Sequence, residues 1–210
     1  MTKFVAISDL HNLYGQIDVP NGDVLIIAGD ITNTGKPEEL VAFNDWVGTL
    51  PHRYKLLIAG NHDIGFERFP ELARNLIPNI THYLENSSIE IEGIKIWGSP
   101  VTQQFYYWAF MYDRDKLDRL WQTIPACDIL ITHGPPAGIL DKTLEGDHAG
   151  CKSLARHVKR VAPKYHIFGH IHEGRGMHIE DGTIYLNVST CNRRYEPVNA
   201  PMCFDFVKES

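Results

Sequence analysis

The sequence predicts an α/β fold. Five short runs of β-branched and aliphatic residues, 4–7, 24–28, 56–59, 129–131 and 166–168, read as strands buried on both faces. Segments with a single apolar face fall between them. Each strand run also stops at a polar or metal-competent residue, usually beside a glycine. Strands that alternate with helices indicate an α/β fold.

In chain order, residues 4–7 run into Ser8-Asp9-Leu10-His11, and residues 24–28 into Gly29-Asp30. Residues 37–50 place Leu40, Val41, Phe43, Trp46, Val47 and Leu50 on a helical face. Pro37 stands near the start, where its missing N–H is tolerated. Residues 56–59 lead into Gly60-Asn61-His62-Asp63, and 69–76 form a shorter candidate helix. Residues 89–91 and 94–97, joined by Glu92-Gly93, read as a hairpin. A helix over 113–121 turns Leu117, Leu120 and Trp121 to one side. The strand over 129–131 ends at Thr132-His133-Gly134. A helix over 151–161 sets Leu154, Val158 and Val161 opposite Lys152, Arg156, Lys159 and Arg160. The strand over 166–168 ends at Gly169-His170-Ile171-His172, and two further strands cover 184–188 and 203–206. Without a linker, repeat or low-complexity stretch, residues 1–210 read as one domain.

Composition narrows the class. The 210 residues are 43% hydrophobic and 22% charged, as in an ordinary globular protein, which excludes a disordered, collagenous or coiled-coil chain. The longest clean apolar run, 24–28, is too short to cross a bilayer, and the N-terminus lacks the apolar core of a signal peptide. The expectation is a cytoplasmic protein without a membrane partner. A net charge of −6 argues against a basic surface for duplex DNA. The four cysteines form no C-x-x-C pair and read as reduced thiols.

Ligands gather at the carboxyl ends of strands in open α/β sheets. The residues there are Asp9, His11, Asp30, Asn61, His133, His170 and His172. Imidazole, carboxylate and amide oxygen without thiolate suit a borderline divalent cation. Asp9-x-His11 and His170-x-His172 would each put two donors on one side of an extended segment. Seven donors exceed one tetrahedral site and fit two metals that share a carboxylate, the clamp used for in-line displacement at phosphorus.

These blocks, together with Gly60-Asn61-His62-Asp63, resemble the calcineurin-like metallophosphoesterase superfamily over residues 8 to about 190. The stretches Thr132-His133-Gly134-Pro135-Pro136, His148-Ala149-Gly150-Cys151 and Asn187-Val188-Ser189-Thr190-Cys191 resemble its metallophosphoesterase-domain-containing group, relatives of class III cyclic nucleotide phosphodiesterases. The resemblance implies a four-layer α/β/β/α sandwich and two divalent ions, with Mn the expected activator and Fe, Zn, Co or Ni as alternatives. It assigns Asp9, His11, Asp30 and His172 to one metal, and Asp30, Asn61, His133 and His170 to the other, with Asp30 as the bridge. His62 resembles the family's transition-state or leaving-group histidine. Asp63, where many members carry Glu, would orient it through a hydrogen bond. Asn61 and His62 would also meet substrate.

Other residues are read more plainly. His52, His82, His157 and His178 match no motif and are taken as surface or packing residues, and His166 is placed in the core or between layers. His148, in the glycine-bounded stretch 146–150, is a candidate substrate contact on a long loop. The aromatic run 105–112 is expected to pack, in the core or at a homodimer contact, with stacking on a nucleobase as the sharper alternative. The leading expectation is a phosphodiesterase for small diesters, cyclic nucleotides among them, in which metal-bound hydroxide attacks in line. The alternatives are a phosphomonoesterase, on small molecules or phosphoprotein, and a non-catalytic metal-binding scaffold.

Overall fold

The computed structural model describes residues 1–207. Its strands are β1 (Thr2–Ile7), β2 (Val24–Ala28), β3 (Tyr54–Ile58), β4 (His82–Tyr83), β5 (Ser87–Ile91), β6 (Ile94–Ser99), β7 (Thr102–Gln103), β8 (Met111–Tyr112), β9 (Ile129–Thr132), β10 (Tyr165–Phe168), β11 (Gly176–Glu180), β12 (Thr183–Asn187) and β13 (Met202–Phe206). Its helices are α1 (Pro37–Gly48), α2 (Ile64–Arg68), α3 (Pro70–Asn75), α4 (Arg114–Gln122) and α5 (Lys152–Val161). One sheet has the order β13-β1-β2-β3-β4 and the other β11-β12-β10-β9-β6-β5. Within each, the inner strands run parallel, whereas β13, β11 and β5 are antiparallel edges.

Side-chain alternation explains why two sheets stack rather than one sheet standing alone. Phe4, Ala6, Val24, Ile26 and Ala28 face Ile94, Ile96, Ile129, Ile131 and Ile167 of the second sheet in a shared core. The intervening Val5, Ile7, Leu25 and Ile27 turn the other way, onto Leu40, Phe43 and Val47 of α1 and Phe66 of α2. Leu130 and Phe168 turn outward onto Leu117 and Trp121 of α4 and Leu154 and Val158 of α5. Strands apolar on both faces therefore produce four layers, α/β/β/α, as expected. Face-to-face packing of two twisted sheets is a common way to bury such faces.

Helix ends follow side-chain caps. Asp113 precedes α4 and accepts a hydrogen bond from the Lys116 N–H (2.8 Å). The sulfur of Cys151 does the same for Leu154 ahead of α5. Both residues read as helical in sequence but stand just outside their helices. α1 ends at Gly48, two residues before the expected 50. The sequence offers no periodic signal for α2, β4, β7 or β8, each five residues or fewer. β11 is missed because it is a largely exposed edge strand without an apolar face. The hairpin of β5 and β6 forms as predicted. His166 lies on the outer face of the second sheet, fully buried, against Phe168 and Tyr185. Among the described residues, no helix is long and apolar enough to cross a membrane.

The stacking brings the carboxyl ends of β1, β2 and β3 against those of β9 and β10. Ser8 bridges to Ser189 across the sheets. The His133 Nδ1–H donates to the Ala28 carbonyl (2.9 Å).

Candidate metal centre

The donors do not sit on extended segments, which corrects the period-two expectation. Asp9, His11, Asp30 and His170 have φ of 55°, 43°, 54° and 70°, a left-handed backbone that non-glycine residues adopt at a cost and that clusters at functional sites. The turn is held by the chain itself: the N–H groups of Leu10 and His11 both donate to the Asp30 carbonyl (2.8 and 3.0 Å). One consequence is that His170 and His172 diverge into different donor groups. Two glycines allow the close approach. A Cβ on Gly60 would overlap Asp30, and one on Gly169 would overlap Ser8 and Asp9.

Donor atoms of Asp9, His11 and His172 lie within 4.8 Å of one another, as do those of Asp30, His133 and His170. His172 Nε2 is 3.4 Å from Asp9 Oδ1, and His133 Nε2 is 3.2 Å from Asp30 Oδ2. His11 Nε2 lies 4.0 Å from Asp30 Oδ2, so Asp30 stands between the two groups. Asn61 turns its amide oxygen to His133 Nε2 at 3.1 Å. His62 makes a third group with His11 and Asp30. The structure thus brings together all seven residues expected as ligands, together with His62.

Orientation and charge both suit cations. The Nδ1–H groups of His133 and His172 donate to backbone carbonyls, of Ala28 and Asn192 respectively, which leaves each Nε2 for the site. Both ring nitrogens of His11 are buried without any hydrogen-bond partner in the protein. A native fold rarely leaves such groups unsatisfied unless a ligand or ion meets them. Burial lowers the imidazoles of His11 to about 4 and His170 to about 3, keeping them neutral as ligands must be. Burial also lowers His133 and His172, but the carboxylates of Asp30 and Asp9 outweigh it and raise each to about 9. Burial raises the carboxyls of Asp9 and Asp30, yet His172 and His133 respectively hold them below the usual range. The carboxylates thus call for positive charge at these two points.

Three expectations need correction. Asp63 does not orient His62. Its buried carboxylate accepts from the N–H groups of Gly60 (2.9 Å) and Thr32 (3.0 Å) and the Thr32 hydroxyl (2.7 Å), tying the loops after β2 and β3 together. Burial, then the Asp30 carboxylate, pushes its carboxyl up to about 6. The Asn33 carbonyl takes the orienting position instead and accepts from His62 Nδ1 (3.0 Å). His148 does not line the metal pocket: its largely exposed ring pairs with the buried Asp141 (2.7 Å). The aromatic run divides. Ala109 and Phe110 pack in the core, but Phe105, Tyr106 and Trp108 line the metal pocket, with the Trp108 ring 4.3 Å from that of His62. His52, His82, His157 and His178 stay outside that pocket.

Sequence reasoning missed several supporting groups. The hydroxyls of Ser8 and Ser189 donate to Asp9 Oδ2 (2.7 and 2.8 Å). Glu39 gathers the side chain of Asn12 and the N–H groups of Asn33, Thr34 and Lys36. Tyr195 sets its ring 4.7 Å from His11. Ser8 adjoins a ligand in sequence and could have been flagged. Backbone carbonyls of Asn33 and Asn192 carry no sequence signal.

Two stacked sheets with Asp, His and Asn donors at their joint carboxyl edge form a site suited to divalent cations. The model of the calcineurin-like phosphoesterase family matches residues 2–174. The chain belongs to that family, and with it to the metal-dependent phosphoester hydrolases. It is 41% identical over 233 residues to metallophosphoesterase domain-containing protein 1 of Homo sapiens, covering 97% of this chain and 71% of that protein. A UPF0046 protein of Caenorhabditis elegans is 37% identical over 224 residues, 99% of this chain and 76% of that one. Among solved structures, the phosphopantetheinyl hydrolase of Mycobacterium tuberculosis superposes with a TM-score of 0.65 at 15% identity, covering 92% of this chain and 90% of that one. That likeness shows the shared fold.

Proposed function

We propose that the protein is a dinuclear-metal phosphodiesterase acting on small diesters, cyclic nucleotides among them, with Mn as its activator. The observation that carries this reading is the pair of donor groups meeting at Asp30. Asp9, His11, Asp30 and His172 would hold one ion, and Asp30, Asn61, His133 and His170 the other. Two divalent ions so held would supply Lewis-acid charge at the phosphoryl group and lower the pKa of water towards neutrality. The donor set places only two carboxylates against that charge, so with both ions bound the site would be net positive and would attract an anionic ester despite the −6 of the whole chain.

The chain's own work falls to His62. Its Nδ1–H is fixed by the Asn33 carbonyl, so Nε2 is the nitrogen that meets substrate. From there an imidazolium hands a proton to the leaving oxygen, and the Asn33 carbonyl steadies the charge before transfer. Asn61 is anchored one residue away, and the His62 N–H donates to Asp30 Oδ1 (2.8 Å), so His62 moves with the metal ligands rather than apart from them. Trp108 covers one side of the ring.

The test is metal-resolved. Exhaustively chelated protein should lose hydrolysis of bis-p-nitrophenyl phosphate and regain it with Mn. Its rate on that diester should exceed its rate on p-nitrophenyl phosphate. Full activity without metal contradicts the dinuclear reading, and a preference for the monoester favours the phosphomonoesterase.

A further inference from the structure

Beside the metal pocket lies a second cavity of about 420 Å³, within the size range of small-molecule sites. It sits under α4 and α5 on the outer side of the second sheet. Phe105 and His170 line both spaces, so the two share a wall at a residue of the metal centre. The rest of its lining is mostly apolar, with Val101, Trp121, Leu154 and Ile171 prominent, and no Asp, Glu, Lys or Arg takes part. Gln103, Thr143 and the His170 ring bring polar groups to this surface, and Trp121, only 1% exposed, forms part of its wall.

A group that fills this cavity must be uncharged where it enters, because no carboxylate, ammonium or guanidinium in the lining compensates an ion taken out of water.

We propose that this cavity receives the organic group of the substrate ester, and that the group is uncharged and largely apolar. The phosphoryl group then lies at the metal pocket, and the ester oxygen passes the shared wall of Phe105 and His170. This rests on the phosphodiester reading above for the identity of the charged half, whereas the cavity itself stands on its own lining. Specificity then lies in the ester group: a methyl ester leaves the cavity empty, and an aryl amide fills it.

Two diesters with the same leaving group measure this: methyl p-nitrophenyl phosphate and 4-acetamidophenyl p-nitrophenyl phosphate. Ala149, on the exposed rim of the cavity, is replaced by Trp to occupy it without touching the core. Thr143→Trp repeats the test from a second rim position in case the first variant folds poorly. In either variant, kcat/KM for the acetamidophenyl ester should fall at least ten-fold further than kcat/KM for the methyl ester. Independently of catalysis, acetanilide should shift the indole N–H resonance of Trp121 in the wild-type protein, identified by its loss in Trp121→Phe, and should fail to shift it in Ala149→Trp. An unchanged ratio of the two esters overturns the proposal, as does an unmoved Trp121 resonance. If the metal-loaded protein hydrolyses neither ester, the phosphodiester reading fails, and the Trp121 resonance alone decides whether the cavity binds such a group.

Discussion

His62 and Asp30 touch through a single hydrogen bond, from the His62 N–H to Asp30 Oδ1, yet their loss should be felt in different measurements. A positioned acid contributes roughly 10²–10⁴-fold to rate. His62→Ala should lose activity on that scale while keeping both metals and the fold. The loss should be smaller for p-nitrophenyl esters, whose leaving group needs no proton, than for esters of ordinary alcohols. Near-wild-type turnover of an alkyl ester by fully metallated His62→Ala would sink the acid role. Asp30 belongs to the group of His133 and His170 and also meets His11 and His62 on the other side, whereas His11 is grouped with Asp9 and His172 and lies 4.0 Å from Asp30. Asp30→Ala should therefore lower metal content at both positions, and His11→Ala chiefly at one. Elemental analysis that finds two metals per chain in Asp30→Ala would contradict a bridging role.

At the scale of elements, the site depends on how closely β10 comes to β1. Gly169 follows β10, and its N–H donates to the His133 carbonyl (2.9 Å), while the His170 N–H reaches the Asp9 carboxylate (3.1 Å). No room for a Cβ exists here: it would overlap Ser8 Oγ and Asp9 Oδ2. Ser8 cannot withdraw easily, since its hydroxyl also reaches the Ala28 carbonyl (3.1 Å). Gly169→Ala should push the sheets apart at this edge and displace Asp9. The expected result is loss of metal binding at the Asp9 side together with a lower unfolding temperature. Wild-type metal content in a folded Gly169→Ala protein would show that the edge has slack. Gly138→Ala makes a useful control for crowding, because a Cβ there meets nothing within 4 Å, although its φ of +87° adds backbone strain of its own.

The stability of the whole molecule should depend on pH through His166. Burial lowers this imidazole to about 3. Its Nε2 meets the Thr132 hydroxyl (2.9 Å), which itself donates to the Gly134 carbonyl (2.8 Å), so Nε2 carries the proton of a neutral ring. In the unfolded chain a histidine titrates near 6.5. The unfolded state therefore binds one proton more than the folded state between those values. The contribution of His166 is fully present above pH 6.5 and is lost as pH falls towards 3, at up to about 1.4 kcal/mol per pH unit. His166→Phe keeps a ring against Phe168 and Tyr185 and removes this proton uptake. The difference in unfolding free energy between wild type and variant, followed by urea titration from pH 7 to 4, should drift by that slope in favour of the variant. A constant difference would assign the acid sensitivity to other groups.

Residue type and local pattern determined a great deal of this protein. Strands apolar on both faces must be covered on both faces, so the α/β class and the positions of β1, β2, β3, β9 and β10 could be read from runs of aliphatic residues. The donors could be read because each interrupts such a run at its end, and chemistry that needs imidazole and carboxylate admits few other residue types. Tertiary structure decided what depends on direction and on backbone. Asp63 carries the right carboxylate beside His62, but the chain turns it inward to Thr32 and Gly60, and a carbonyl at Asn33 does the orienting instead. His170 and His172, two residues apart, enter different donor groups because a left-handed φ replaces the extended backbone that spacing suggested. The run from Phe105 to Trp108 reads as packing in sequence, yet Phe105, Tyr106 and Trp108 line the metal pocket, and Phe105 also walls the second cavity, in spaces that exist only after the sheets have stacked. Hydrophobic pattern is a local property and survives in the sequence. The meeting of loops from two sheets is set by packing over the whole chain, and no short stretch of residues contains it.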